Sequence, residues 1–157
     1  MSLPVKKSSG LTLVEIMVSI AIILVVVVGA ISFRYYAAMD AREADVKISA
    51  ARIGNLLLDA WKGTGGTPAY DPVSEFGLDL NISISATGPD VPAGFIKLNS
   101  YLISSNRVSY YATLSYKDST STTPGVLTVT ISWLGNYNTG TVSAADESVK
   151  LTAFVNN

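Results

Sequence analysis

One carboxylate stands inside an apolar run, and its position demands a chemical reason. Glu15 is the only ionisable side chain between Leu11 and Phe33. A charge in hydrocarbon is costly, so an ionisable residue there marks a function and needs a partner. Immediately ahead lie Lys6-Lys7-Ser8-Ser9-Gly10, two cations followed by small residues. A cut after Gly10 would leave a free amine on Leu11, a partner of opposite charge for Glu15. The side chains that most often do chemistry are otherwise missing. The chain has no His, so the commonest general base and metal ligand is absent. It has no Cys and hence no thiol nucleophile. Asp71, Glu75 and Asp79 recur at intervals of four in a loop-like stretch. Calcium takes six to eight oxygen ligands, and this spacing fits no known loop motif, so a solvated acidic loop is the plainer reading. Tyr110, Tyr111, Tyr116, Trp133 and Tyr137 gather on or beside predicted strands. A ligand platform is one reading of them, and aromatic pairs sealing a sheet face are the simpler one. The expectation is a protein that is not an enzyme and has no cofactor and no metal site.

The apolar run must be a helix if it lies in a membrane. Crossing a hydrocarbon core of ~30 Å takes roughly 20 apolar residues, and Leu11 to Phe33 meets that. Only a helix or a closed barrel satisfies the backbone there without water. Val25 to Val28 is β-branched and unfavourable for a helix in water, but an open strand is excluded in lipid. No proline interrupts the run, and Gly29 is its one soft spot. Lys6 and Lys7 before the run, against Arg34 and mixed charge after it, leave the short N-terminus in the cytoplasm and send the remainder across. Tyr35 and Tyr36 fall where aromatic rings anchor a helix at the membrane surface.

Three readings compete for this N-terminus. A secretory signal peptide would want a small-x-small cleavage site after the run, and Val28-Gly29-Ala30 is a poor version. A plain signal anchor leaves Glu15 and Gly10 without a role. Cleavage after Gly10 retains the helix and gives Glu15 its partner.

The stretch Gly10-Leu11-Thr12-Leu13-Val14-Glu15-Ile16-Met17-Val18-Ser19-Ile20-Ala21-Ile22-Ile23-Leu24 resembles the processing site of type IV pilins and type II secretion pseudopilins. The resemblance implies a prepilin peptidase that cuts between Gly10 and Leu11 and methylates the new N-terminus at Leu11. It also implies that Glu15, the fifth mature residue, meets the N-terminal amine of a neighbouring subunit during assembly. The implied partners are the peptidase, other pilin or pseudopilin subunits, an inner-membrane assembly platform and the membrane itself. Leu11 departs from the family's usual phenylalanine, and Ser32 stands where many major pilins have a helix-kinking proline. The resemblance covers about the first third of the chain.

Elements beyond the run follow from periodicity. Val46, Ser49, Ala50, Ile53, Leu57, Ala60 and Trp61 recur at helical spacing and form one apolar stripe. Lys62-Gly63-Thr64-Gly65-Gly66 supplies a helix stop. Gly63 to Leu78 reads as loop. The period then becomes two: Leu78 to Ser85 alternates, Phe95 to Leu98 pairs with Tyr101 to Ile103, and Arg107 to Tyr116, Val126 to Trp133 and Val149 to Val155 read as strands. Lys117 to Gly125, rich in Ser and Thr, reads as an exposed loop. The fold class is α+β, a long N-terminal helix packed on an antiparallel sheet, which is also the arrangement of pilins. The expected organisation is a leader at residues 1–10, a transmembrane helix at 11–33 and a periplasmic domain at 34–157 that opens with a helix over 34–62.

Composition narrows the partners. The net charge is −1, and loss of Lys6 and Lys7 with the leader makes the chain more acidic. No basic stripe marks the soluble part, so nucleic acid is not an expected partner. Without cysteine, a domain in an oxidising compartment relies on pairing and packing alone. The expectation is a minor pilin or pseudopilin. The alternative is a membrane-anchored periplasmic binding module that never assembles.

Overall fold

The computed structural model describes residues 12–77, 79–118, 125–134 and 147–155. The contacts divide the chain into two units between Glu43 and Ala44. Helix α1 (Leu13–Gly63) runs through both. Its portion up to Glu43 is exposed at every described residue, Val25 to Val28 and Gly29 are helical, and no break occurs.

The unit from Ala44 onward contains the rest of α1, a short helix α2 (Pro72–Phe76), and strands β1 (Ile82–Ile84), β2 (Ile96–Ser105), β3 (Val108–Lys117), β4 (Gly125–Trp133) and β5 (Ser148–Val155). The strands form one antiparallel meander in sequence order. Alternation sends Tyr110, Ala112 and Leu114 of β3, and Leu127, Val129, Ile131 and Trp133 of β4, to one face, where all are buried. The stripe of α1 covers that face: Ala50, Ile53, Leu57 and Trp61 are buried in the same cluster, with Val46 and Ala60 packed against it. Fully burying a large apolar side chain stabilises by about 1.5–3 kcal/mol, so each of Ile53, Leu57 and Trp61 contributes on that order.

Gly54 lets the helix come close. A side chain there would place its first carbon 2.5 Å from Leu151 Cδ1 and 3.3 Å from Ile131 Cδ1. The helix then ends as its glycines require. Gly65 has φ +75°; its N–H donates to the Lys62 carbonyl at 3.0 Å, and the Gly66 N–H donates to the Trp61 carbonyl at 3.0 Å. This is the Schellman pattern, with a left-handed residue just past the helix. The turn carries the chain back to Trp61, whose Nε1 donates to the Thr67 carbonyl at 2.9 Å. Its ring stacks on Tyr70 and meets Tyr116 edge-on.

Three sequence expectations need correction. The stretch after α1 is not all loop: Asp71 caps α2 by accepting from the Val73 N–H at 3.1 Å, with Pro72 in the first turn. Asp-Pro is a helix start here and not only a breaker. The residues 95–98 and 101–103 do not form a hairpin; from Ile96 onward they belong to the single strand β2, whose register shifts between Lys97 and Asn99. A bulge adds one residue and breaks the alternation without turning the chain. Of the alternating stretch from Leu78 to Ser85, only Ile82–Ile84 pairs as a strand, and Leu80 closes a turn onto Phe76. Leu78 and residues 119–124, which include most of the expected Ser/Thr loop, lie outside the described residues.

The second sheet face is lined by small hydroxyls. Ser100, Thr113, Ser115, Thr128, Thr130 and Ser132 are buried. Ser100 and Thr113 share a hydrogen bond of 2.9 Å, and a Cβ on Gly88 would come within 2.6 Å of both oxygens. Further along the same segment, the Phe95 ring lies 5.9 Å from Lys150 Nζ on β5. The chain between β1 and β2 thus crosses this face, and short side chains beneath it make the room.

Three buried phenols give the core a pH dependence. Burial, followed by the charge of Glu75, raises the Tyr70 pKa far above its ordinary value. The Tyr70 hydroxyl is buried without a hydrogen-bond partner among the described residues. Burial and then Asp71 raise Tyr101, while an opposing hydrogen bond from Asn99 lowers it. Burial raises Tyr110 against the lowering influence of Ser49.

Replacing Gly65 by Ala forces a side chain into the left-handed region. This should lower stability by about 1 kcal/mol in denaturant unfolding of the full chain in detergent. A neutral Gly65→Ala would show that the cap does not constrain the turn. For the tyrosines, the folded pKa exceeds the unfolded value near 10. Above that pH the unfolded chain releases phenolic protons that the folded chain keeps, so stability is full below about pH 10 and falls as pH rises beyond it. Thermal melts from pH 8 to 11 should show this fall, and Tyr70→Phe should flatten it. Because the hydroxyl it removes is buried and unpaired, Tyr70→Phe should be neutral or stabilising at pH 8.

Candidate functional site

The first described residues contain the one polar cluster of the apolar helix. Thr12 precedes α1, and its backbone N–H donates to Glu15 Oε2 at 3.1 Å. The Thr12 hydroxyl donates to the same oxygen at 3.2 Å, and the Glu15 N–H donates to Thr12 Oγ1 at 3.3 Å. The Ile16 N–H closes the first turn on the Thr12 carbonyl at 3.2 Å. This is a capping box: a threonine and a glutamate three residues apart satisfy each other's free N–H groups. The helix N-terminus, with its partial positive charge, also favours a carboxylate at that place. One turn on, the Ser19 hydroxyl donates to the Glu15 carbonyl at 2.7 Å, so a second polar side chain of the run is satisfied within the helix.

The signature for this cap is present in the sequence as Thr12-Leu13-Val14-Glu15. Reading Glu15 as an isolated charge and Thr12 as a mild polar residue passes over it. Gly10 and Leu11, the expected scissile pair and methylation site, lie outside the described residues.

Around and beyond the cap, the helix presents apolar side chains on all sides. Leu13 is 77% exposed and Phe33 74% exposed, and Ile16, Ile20, Ile23 and Val27 are likewise open. A continuous apolar surface of this size on a chain in water signals a membrane or a protein partner. α1 includes a stretch long and apolar enough to cross a membrane. A capping box that opens such a stretch, two residues after a glycine and five after a lysine pair, is what the comparison with known families then identifies. Residues 5–31 match the family described as the prokaryotic N-terminal methylation motif. The chain carries a prepilin-type N-terminal signal. That motif is the hallmark of type IV pilins and pseudopilins, and the helix-on-meander arrangement of this chain is pilin-like. It points to a structural protein that a prepilin peptidase processes and that assembles with other pilins. No curated protein and no solved structure matches the chain.

The remaining candidates resolve into structure. Tyr110, Trp133 and Tyr116 lie on the helix-covered face as part of the core and its rim. Tyr111 points to the opposite face, and Tyr137 lies outside the described residues. Asp71 serves as the cap of α2. Among the described residues no group of three or more acids is placed to hold a metal ion.

The capping box predicts a difference between two substitutions. Glu15→Ala should cost about 1 kcal/mol at the helix start, read as faster amide exchange at Thr12 to Ile16 in detergent micelles. Glu15→Gln keeps an oxygen acceptor and should retain most of the protection. Equal exchange in the two variants would remove the cap from the account of Glu15.

Proposed function

We propose that this chain is a structural subunit, a minor pilin or pseudopilin, of a type IV pilus or a type II secretion pseudopilus. The observation that carries the reading is the methylation motif at residues 5–31, continuous with an apolar helix surface that is exposed throughout. Prepilin peptidase cuts between Gly10 and Leu11 and methylates the new amine of Leu11. Residues 11–33 hold the subunit in the inner membrane as a single span. The domain from residue 34 onward faces the periplasm until an inner-membrane platform moves the subunit into the filament.

Assembly follows from the physics of the helix. Head-to-tail contacts that repeat without closing generate filaments, and an exposed apolar helix surface is a contact that can repeat. Glu15 then has two roles. Within its own chain it caps the helix through Thr12. Toward a neighbour, its second carboxylate oxygen is available to the amine that cleavage creates on Leu11. Charge is essential to the second role and dispensable for the first. Trp61, the Gly65 turn and the sheet maintain the domain that the filament displays, without a disulfide.

In a strain lacking the peptidase, intact mass should show residues Met1 to Gly10 retained and assembly lost. Glu15→Ala and Glu15→Gln should both be cleaved normally and both fail to enter the filament. Normal incorporation of Glu15→Gln would remove the charge pairing. Unchanged processing without the peptidase would favour a membrane-anchored binding module that does not assemble.

A further inference from the structure

The segment Asp79-Leu80-Asn81-Ile82-Ser83 joins α2 to the sheet. Asn81 is the one asparagine of the chain followed two residues later by a serine or threonine. An Asn-x-Ser sequence without proline between is an N-glycan acceptor when it lies on the surface of an exported protein. Here the geometry meets the surface part of that condition. Asn81 is exposed and adopts φ +47° in the turn that precedes β1. Ser83 and Asp79 are exposed as well, while Ile82 is buried and pins the turn to the core. The Asn81 side chain makes no hydrogen bond with the described residues, so its amide nitrogen is not engaged by the fold. Asn106 provides the contrast. It also sits at positive φ in an exposed turn, but Val108 stands where the hydroxyl would be.

We propose that Asn81 is an N-glycosylation site. The donor is an oligosaccharide carried on a lipid pyrophosphate, and the enzyme is an oligosaccharyltransferase of the membrane. Asn81 Nδ2 forms a bond to the anomeric carbon of the first sugar. The bond from that carbon to the pyrophosphate oxygen breaks, the lipid pyrophosphate leaves with the electron pair, and one amide proton passes to a carboxylate of the enzyme. Ser83 supplies the hydroxyl that the acceptor groove reads by hydrogen bonding. Asp79 supplies a carboxylate two residues before the asparagine, where a cation of the groove can pair with it. β1 suits this use. It is three residues long and, among the described residues, pairs only with β2, so few backbone hydrogen bonds hold it when the groove takes up the turn.

In the cell, the modification rests on the proposed placement of this domain outside the cytoplasm. Acceptor chemistry can be tested without it. The folded full chain in detergent is incubated with a purified single-subunit bacterial oligosaccharyltransferase and its lipid-pyrophosphate oligosaccharide. Intact mass and peptide mapping then read the product. The expected result is one added glycan, located on Asn81, that is lost in Asn81→Gln and Ser83→Ala and reduced at least tenfold in Asp79→Asn. A synthetic peptide of residues 77–85 is assayed in parallel. Modification of the peptide but not of the folded chain would overturn the proposal, because the fold would then withhold the site. Failure of both would overturn it equally. N-terminal sequencing of chain purified from a peptidase-containing strain reports cleavage after Gly10 separately, so loss of one result leaves the other standing.

Discussion

Burial of one helical stripe against one sheet face is the contact on which the unit from Ala44 onward depends. The chain has no disulfide to hold the meander, and a sheet with an uncovered apolar face is not stable in water. Ala50, Ile53, Leu57 and Trp61 close that face against Tyr110, Ala112, Leu114, Val129 and Ile131. The contact is close because Gly54 removes the side chain that would hold the helix away from Leu151 and Ile131. Everything that follows in the chain is arranged around it. The glycine cap reverses the backbone at Gly65, Thr67 receives the Trp61 N–H, and Tyr70 and Tyr116 enclose the indole.

The same helix is treated oppositely in its two portions. Up to Glu43 its described residues are exposed, the large apolar side chains included. From Val46 onward the buried apolar residues narrow to a stripe, and the charged residues Lys47, Arg52, Asp59 and Lys62 lie off it. A helix that is apolar all round requires lipid or other helices, whereas a striped helix requires one packing partner. The transition in sequence pattern therefore separates a portion that must find its surroundings from one that folding already provides. The proposed subunit role uses that division: the domain is finished on its own, and the N-terminal helix is what remains to be covered.

Glu15 shows why a local hydrogen bond and a remote partner need not compete. A carboxylate has two oxygens and about four acceptor sites. One oxygen, Oε2, receives both Thr12 donors, which leaves the other for a cation. A carboxylate already anchored at the helix start has fewer rotamers to lose when a neighbour's amine arrives, so the cap also orients the group for the proposed pairing.

Much of this was legible in the residues. The prepilin-type signal, the helix and its stripe, the stop at Lys62 to Gly66 and the three long strands β3, β4 and β5 are written in local pattern, since apolar period and glycine placement act within one turn or one pairing. The capping box was equally local, but it is visible only when Thr12 and Glu15 are read as a pair. Tertiary structure decided the rest. Whether residues 96–105 form a hairpin or one bulged strand depends on the partner strand β3, because a one-residue register shift has no signature of its own. That Asp71 caps a helix, that Gly54 is a point of close approach, and that hydroxyls line a buried second face under the segment after β1 all follow from what lies opposite each residue in space. Sequence determined what each segment is by itself; only the packed structure determined which surface each residue meets, because burial and register are properties of pairs distant along the chain.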